Sequence, residues 1–494
     1  MTELDCLVIG AGPAGNCAAL RLLQLGYRVG VVERAAFPRA QIGEALTPGI
    51  RNILGLLQAD EALAGLPHIE GRPGWLRWEQ DTLLPMPQAG TALVERADFD
   101  ARLLALAAAR GARVWQPAHV PAIEGGAGAW RVQIVEPATG TVSRVAARWL
   151  FEASGRHGAS ATRWACAPPL AALWAEFDAA QVDPAGLAAT RVEALPNAWL
   201  WAAPLPSGRL RAMVFADPHA VGGQPQALWR HALSSTHGLQ ALAGLAPAQP
   251  LRICSAAPYL DTAAWREGRV KIGDAAFALD PLSGSGVEKA MRFSLQAVVS
   301  WHTWSSAADD AGRSLARQYF SQQLNQTCAR HVGWCAGHYA RAWSAGGDDF
   351  WRARSTPPRP RAPSMAPSVA PASAGPADDF FAALAEAASP EPLPAGPDRW
   401  PAAARVRLDE ACRLAPQLCV VDDLVRNAPA LSHPRLPRAV AFVADQPLAP
   451  LWPLLRRDQT VAELHAALAL AMRPDAAGAV LAWLRRSGVL VPAA

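Results

Sequence analysis

Lysine is almost missing from this chain. Of its 46 basic residues only Lys271 and Lys289 are lysine, and the arginines that make up the rest are scattered among 42 acidic residues for a formal charge of +4. With no basic stripe or charge run, a nucleic-acid partner is not expected. No stretch reaches the roughly 18 uninterrupted apolar residues of a membrane-spanning helix, so no membrane span is expected. The amino terminus carries Glu3 and Asp5 in place of a basic region, and glycines interrupt the apolar stretch that follows. A secretory signal is therefore not expected there. The eight cysteines form no CxxC pair and no Cys/His cluster with metal-ligand spacing. That speaks against a metal site and favours reduced thiols in a cytoplasmic protein. His331 and His338 flank Cys335 on an expected helix and read as ordinary helix-face residues.

What is present is enough apolar sequence for a large core. Apolar residues make up 51% of the chain and charged residues 18%, which excludes global disorder. At roughly 150 residues per domain, the length points to about three domains. A strand at 4–9, a helix at 13–26 and a second strand at 28–33 open the chain as a βαβ unit. Helical patterns follow at 46–66 and 97–110, with strand patterns at 113–116, 129–136 and 142–152. Alternating stretches at 171–177, 188–194, 198–204 and 209–216 predict an antiparallel sheet suited to be a substrate platform. A buried strand returns at 269–274, followed by a Gly-rich turn and a helical stretch to about 345. The Pro/Ala/Ser-rich segment 353–378 reads as a linker. In the last hundred residues, Thr460 and Glu463 make a capping-box signature before two helices and a closing strand, the pattern of a small, mostly helical, winged-helix-like module.

The chemistry starts at Gly10-Ala-Gly12-Pro13-Ala14-Gly15, which follows a strand and opens a helix. In that setting the first glycine permits a tight turn, the second lets a pyrophosphate approach the backbone, and the third lets helix and strand pack. Glu33, followed by Arg34, ends the second strand where an acid accepts a ribose hydroxyl. Strand, glycines, helix, strand and acid in this order predict a bound dinucleotide. Three later stretches add to it: Glu95-Arg96-Ala-Asp98-Phe-Asp100, Glu152-Ala-Ser-Gly155-Arg156, and Lys271-Ile-Gly273-Asp274 followed by Asp280-Pro281-Leu-Ser-Gly284-Ser285-Gly286-Val287.

With these motifs, residues 1–345 resemble the FAD-dependent monooxygenases of the p-hydroxybenzoate-hydroxylase type and the related flavin-dependent halogenases. The resemblance implies an α/β fold, a Rossmann-like FAD domain (1–165 and 255–350) interleaved with a substrate sheet (166–254); composition and pattern add a linker (351–398) and the C-terminal module (399–494). It implies FAD as cofactor, with Arg96 along it and Asp274 on the ribityl chain. The turn Pro281–Val287 would aim a helix N-terminus at the pyrimidine edge, where reduced flavin carries negative charge. Glu44 and Ala45, in the loop Gln41-Ile-Gly43-Glu44-Ala45, complete the cofactor set. Glu44, Pro281 and Gly284 are the candidate surroundings of the reacting ring. Glu44, His68 and His157 are the candidate acid–base groups. Glu152 stands where the family usually has aspartate.

Reaction type is the next question. Trp199-Leu-Trp201-Ala-Ala203-Pro204 resembles the WxWxIP motif of halogenases, with Ala203 in place of isoleucine, yet an aromatic strand facing the flavin domain would look the same. Halogenases use a lysine downstream of the 41–45 loop, and this chain has none before Lys271. The corresponding stretch Gly71–Trp78 offers arginine, a delocalised and permanently charged group that cannot release a proton as an amine does. The expectation is hydroxylation of an aromatic ring through a peroxyflavin, with dioxygen as oxidant. Halogenation and hydroxylation of a small phenol or indole are the alternatives. No second nucleotide motif is present, so NAD(P)H or a separate flavin reductase supplies electrons. The turn 280–288 and the extra C-terminal module resemble the flavoprotein tryptophan hydroxylases of tryptophylquinone biogenesis, of the type that matures a quinohemoprotein amine dehydrogenase subunit. That resemblance implies a small crosslinked polypeptide as protein substrate.

Overall fold

A strand covered on both faces needs a continuous apolar run rather than an alternating one. Val29–Val32 is such a run and is buried throughout, and Cys6, Leu7 and Val8 of Thr2–Ile9 are fully buried beside it. In the computed structural model, which describes residues 2–86, 90–157, 162–182, 189–344, 349–359, 376–387, 400–436 and 438–493, these strands form the centre of a parallel sheet. Thr2–Ile9 pairs in parallel with Val29–Val32 on one side and Thr141–Glu152 on the other, and Arg113–Trp115 and Arg269–Lys271 extend the sheet in the same sense. An antiparallel meander, His119–Glu124 and Trp130–Glu136, branches from Thr141–Glu152. Of the linker expected over 351–398, the described parts are helical in Asp349–Arg354 and Pro376–Ala387 and bury Trp351 and Phe380, because aromatic side chains there find partners; the rest lies outside the described residues.

A second sheet runs in the order Arg252–Ser255, Ala171–Asp178, Arg209–Ala216, Ala198–Pro204, Thr190–Leu195, Gly74–Arg77, Leu84–Met86. The four strands expected by alternation are present. The two from the first hundred residues were not foreseen, and Gly74–Arg77 joins in parallel beside Thr190–Leu195. Four residues after Arg72-Pro73 are too short to display a period. One face of this sheet, with Leu200, Ala202, Leu210 and Val214, is covered by Trp229 and Leu233 of the helix Pro225–Ser234. The other face, with Trp199, Met213 and Phe215, meets Tyr339, Phe350 and Trp351.

Helix boundaries depart from the expectation at two breaks. The 46–66 pattern is two helices, Gly49–Leu56 and Glu61–Ala64, divided at Gln58, whose φ of 51° is left-handed. The stretch to 345 divides into Gly286–Ser306 and Asp310–Ala340, and Asp309 accepts the Gly312 N–H at 2.9 Å at the restart.

The chain forms two units. One, Met1–Val298 with Gln323–Phe381, holds both sheets. The other comprises Val299–Gln322 and Ala382–Ala494. In it Arg405–Leu408 pairs with Gln459–Thr460 and Leu490–Pro492, and the helices Val461–Ala471 and Pro474–Arg486 pack Leu464, Leu468, Val480 and Leu484 on that small sheet. The capping box is formed: Thr460 Oγ1 accepts the Glu463 N–H at 3.2 Å, and Glu463 accepts the Thr460 N–H at 2.8 Å. The hairpin Arg413–Val421 with Leu424–Ser432 was not foreseen. Proline argues against a paired strand, yet Pro416 and Pro429 stand opposite each other here, and Asp422 and Asp423 supply the left-handed turn. Among the described residues, no helix is long and apolar enough to cross a membrane.

Candidate cofactor and active site

The carboxyl ends of the parallel strands bring the sequence-predicted residues to one edge of the sheet, where open α/β sheets bind ligands. Gly10 has φ +108°, and a Cβ on it would lie 2.3 Å from the Ala153 carbonyl oxygen. A Cβ on Gly15 would lie 1.9 Å from the Gly10 oxygen. Both glycines are demanded by the fold. Gly12 differs: a Cβ there would meet only Arg39 Nη2, at 3.6 Å. The open space is on the side a ligand would take, and no side chain caps the helix Pro13–Gln24, whose first N–H groups are left for an anion. Glu33 is buried and accepts the Ala11 N–H at 2.7 Å and the Ala35 N–H at 2.9 Å, which fixes the carboxylate beside the glycine turn. Arg34 next to it is exposed.

Arg96 is buried and forks onto Asp100 at 3.1 Å, while its Nη1 donates to the Ile42 carbonyl at 2.9 Å. A Cβ on Gly43 would lie 2.9 Å from Arg96 Nη1 and 3.8 Å from Val287, so the 41–45 loop, Arg96 and the start of the helix Gly286–Ser306 converge. Gly273 packs its missing side chain on Ala14, where a Cβ would approach to 2.6 Å. Asp274 is held by Arg156 at 3.2 Å. Pro281–Ser283 is a short turn ending at Gly284 with φ +61°; a Cβ on Gly284 or Gly286 would meet nothing within 4 Å, and Ser285 bonds Ser283 at 2.7 Å. Open backbone at Gly12, Gly284 and Gly286 leaves room for an extended dinucleotide cofactor along these turns.

The other sequence candidates have partners of their own. Glu44 is 1% exposed, pairs with Arg211 and accepts the Gly43 N–H at 3.0 Å. Burial pushes its carboxyl up against the pull of Arg211. Ala45 lies in a two-residue strand pairing with Leu93. His68 bonds the Leu66 carbonyl at 2.7 Å and faces Glu70 at 3.6 Å. The side chain of His157 is outside the described residues.

The structure adds a buried polar group that sequence reasoning missed. Asp280 accepts the Leu282 N–H at 3.0 Å and the Tyr339 hydroxyl at 2.9 Å, and that hydroxyl accepts the Trp199 indole N–H at 3.0 Å. Trp199 stacks on Phe215 with centroids 3.8 Å apart. His331 Nε2 lies 2.9 Å from the Asp280 carbonyl and its Nδ1 2.6 Å from Lys289 Nζ. His331, Cys335 and Tyr339 stand at i, i+4 and i+8 of one helix, so their shared face was a readable signal. A cleft of about 360 Å³, its open mouth included, lies beside Asp280, Tyr339 and Arg354.

Burial pushes the Asp280 carboxyl up to about 6, against the N–H and hydroxyl that favour its charged form. An acid raised in this way contributes stability that is complete below its unfolded pKa near 4 and is lost as the pH rises through about 6. His331 opposes it. Burial and the neighbouring Lys289 push its ring down to about 3, so its contribution is complete above the ordinary histidine range and fades on acidification. Asp280→Asn removes only the first. Relative to wild type, the variant is expected to gain roughly 2 to 3 kcal/mol between pH 4 and 7 in urea unfolding. A difference that stays flat across that window would refute the assignment.

Comparison with known proteins places the chain. The FAD binding domain family model matches residues 3–325. Tryptophan 2-halogenase of Chondromyces crocatus is 28% identical over 315 residues, 60% of this chain and 60% of that protein. The chain spans less than two thirds of the length of the curated relatives it matches first. Two solved structures align along nearly the whole chain. The peptidyl tryptophan dihydroxylase QhpG, essential for tryptophylquinone cofactor biogenesis, superposes with a TM-score of 0.68 at 23% identity over 99% of this chain and 100% of its own. The flavin-dependent halogenase CmlS superposes with a TM-score of 0.70 at 20% identity over 100% and 96%. At these identities they show the fold, parallel-sheet region and antiparallel platform included.

Proposed function

Because the chain belongs to the FAD binding domain family, we propose that it is an FAD-dependent monooxygenase that hydroxylates an aromatic ring, a tryptophan side chain of a crosslinked partner polypeptide in the cytoplasm. Bound and reduced, FAD supplies the activation of dioxygen. The chain's residues hold and orient it: the Gly10–Gly15 turn and helix N-terminus take the pyrophosphate, Glu33 a ribose hydroxyl, Arg96 and Asp274 the middle of the cofactor, and the Pro281–Val287 turn the pyrimidine edge. Backbone N–H groups fixed at that turn favour negative charge on the reduced ring. The Trp199–Phe215 stack keeps the neighbouring interior dry. The sheet of 166–254 is the platform for the aromatic ring, and the C-terminal unit is left for polypeptide recognition.

One observation carries hydroxylation ahead of halogenation. The chain has two lysine amines, and both are engaged: Lys271 Nζ donates to Asp261 at 2.7 Å, and Lys289 Nζ lies 2.6 Å from His331. Where a halogenase would offer a lysine, Arg77 is buried and tied to Asp81 and Glu193. The competing reading, a halogenase, draws support from the tryptophan 2-halogenase relative and from the Trp199-Leu-Trp201 strand. The full-length architecture is shared with a peptidyl tryptophan dihydroxylase and with the halogenase CmlS alike, and the first likeness is the one behind the polypeptide substrate.

Incubation with the crosslinked partner, dioxygen and either NAD(P)H or a flavin reductase separates them. Oxygen mass on one tryptophan is the expected result. A chlorine or bromine isotope pattern in halide buffer would establish the halogenase instead. NAD(P)H oxidation stimulated by phenol or indole without the partner would point to a small-molecule hydroxylase.

A further inference from the structure

One of the two lysines in this chain is half-buried in the second turn of the helix Gly286–Ser306, close to the positive end of the helix dipole. That is an unfavourable place for a cation: burial lowers the Lys289 pKa, and the dipole opposes the charge. Cys328, Cys335 and Glu288 are the titratable groups facing it, and Glu288 is already bonded to Thr47 and Arg292. Its close polar contact is the His331 ring, at 2.6 Å from Nδ1.

The chemistry of that contact is directional. An ammonium has three donors and no acceptor, so Nδ1 of His331 must accept. The ring proton is then on Nε2, which donates to the Asp280 carbonyl at 2.9 Å. Asp280 begins the turn that the flavin reading sets against the pyrimidine edge. Its carboxylate caps the same turn through the Leu282 N–H. The turn is thus pinned from both sides, and the carbonyl side depends on a tautomer that Lys289 selects.

We propose that Lys289 is a positioning residue which, through His331, locks the Asp280–Gly286 turn in the geometry that stabilises reduced FAD. The inference rests on the flavin reading above and adds a residue to it. Lys289 acts by contact: it selects the tautomer, the tautomer holds the carbonyl, and the carbonyl fixes the N–H groups of the turn. Loosening the strut leaves those N–H groups less preorganised for negative charge, so the bound flavin becomes harder to reduce.

The test is the midpoint potential of bound FAD in Lys289→Met, His331→Phe and the double variant, with urea unfolding of each as the fold control. Each single variant is expected to make reduction about tenfold less favourable, a fall of about 30 mV for a two-electron couple. The double variant is expected to match the singles, because both act on one strut. Unmoved potentials, or a double-variant fall equal to the sum of the singles, overturn the proposal. If Lys289→Met does not fold, Lys289→Leu decides: a potential as low as in His331→Phe supports the strut, and one within twofold of wild type in equilibrium overturns it. Wild-type protein that takes up no FAD on reconstitution overturns the flavin reading and the strut together. Wild-type protein that binds FAD while the variant potentials stay put overturns the strut alone.

Discussion

Gly12→Val is expected to yield a folded protein that purifies without flavin colour. Gly12 has φ −72° and ψ −178°, extended backbone that any residue adopts, and an added Cβ would meet only Arg39 at 3.6 Å. The fold therefore tolerates a side chain at this position, and the unfolding midpoint in urea should match wild type closely. A valine fills the space the pyrophosphate needs. FAD affinity is expected to fall at least about 1,000-fold, roughly 4 kcal/mol. Gly15→Ala provides the contrast, since a Cβ 1.9 Å from the Gly10 oxygen forces backbone apart and costs the fold itself. Glu33→Arg should also be colourless, because it removes the acceptor of the Ala11 N–H as well as of the ribose. Flavin absorbance per polypeptide is the measurement. A Gly12→Val protein with stoichiometric FAD would sink the cofactor assignment.

Arg211→Met is expected to cost about 3 to 5 kcal/mol in urea unfolding, the usual penalty for stranding a buried charge. Arg211 is 5% exposed and bridges Glu44 and Glu176, while its guanidinium lies 4.7 Å over the Trp174 ring. Methionine fills much of the volume but leaves Glu44 without its cation. Glu44→Gln in the same protein should restore about half of the loss, because a neutral amide no longer requires a counter-charge. If the single variant lost less than about 1 kcal/mol, Arg211 would be a surface-type pair of little consequence. The experiment also bears on Glu44 as an acid–base candidate: a carboxylate clamped by Arg211 acts chiefly by shaping the 41–45 loop.

The cofactor half of this site was legible because local rules write it. Gly10, Gly15 and Glu33 sit within one βαβ unit, and glycine turns, helix starts and strand ends leave marks a few residues apart. The Arg96–Asp100 fork is an i, i+4 pair whose two residues stood in one motif, though the motif alone did not pair them. Arg39, which bonds Asp100 beside Gly12, left no mark, since its role depends on where a loop passes. The Asp280–His331–Lys289 contacts join positions far apart in sequence, and only the i, i+4, i+8 face of His331, Cys335 and Tyr339 hinted at them. The strand Gly74–Arg77 was missed because a four-residue segment takes its structure from the partner it pairs with, not from its own pattern.

That strand has a consequence for how the chain is made. During synthesis Gly74–Arg77 emerges long before Thr190–Leu195, its parallel partner, so with Leu84–Met86 on its other side one edge waits open while the segment between them is translated. Long-range parallel pairing of this kind is slow and leaves edges open to aggregation in the meantime. The substrate sheet is therefore not a detachable insert. Cutting it out at 166–254 would remove two of its strands and leave Thr190–Leu195 as a bare edge, so the first unit is expected to be inherited, expressed and unfolded as a whole.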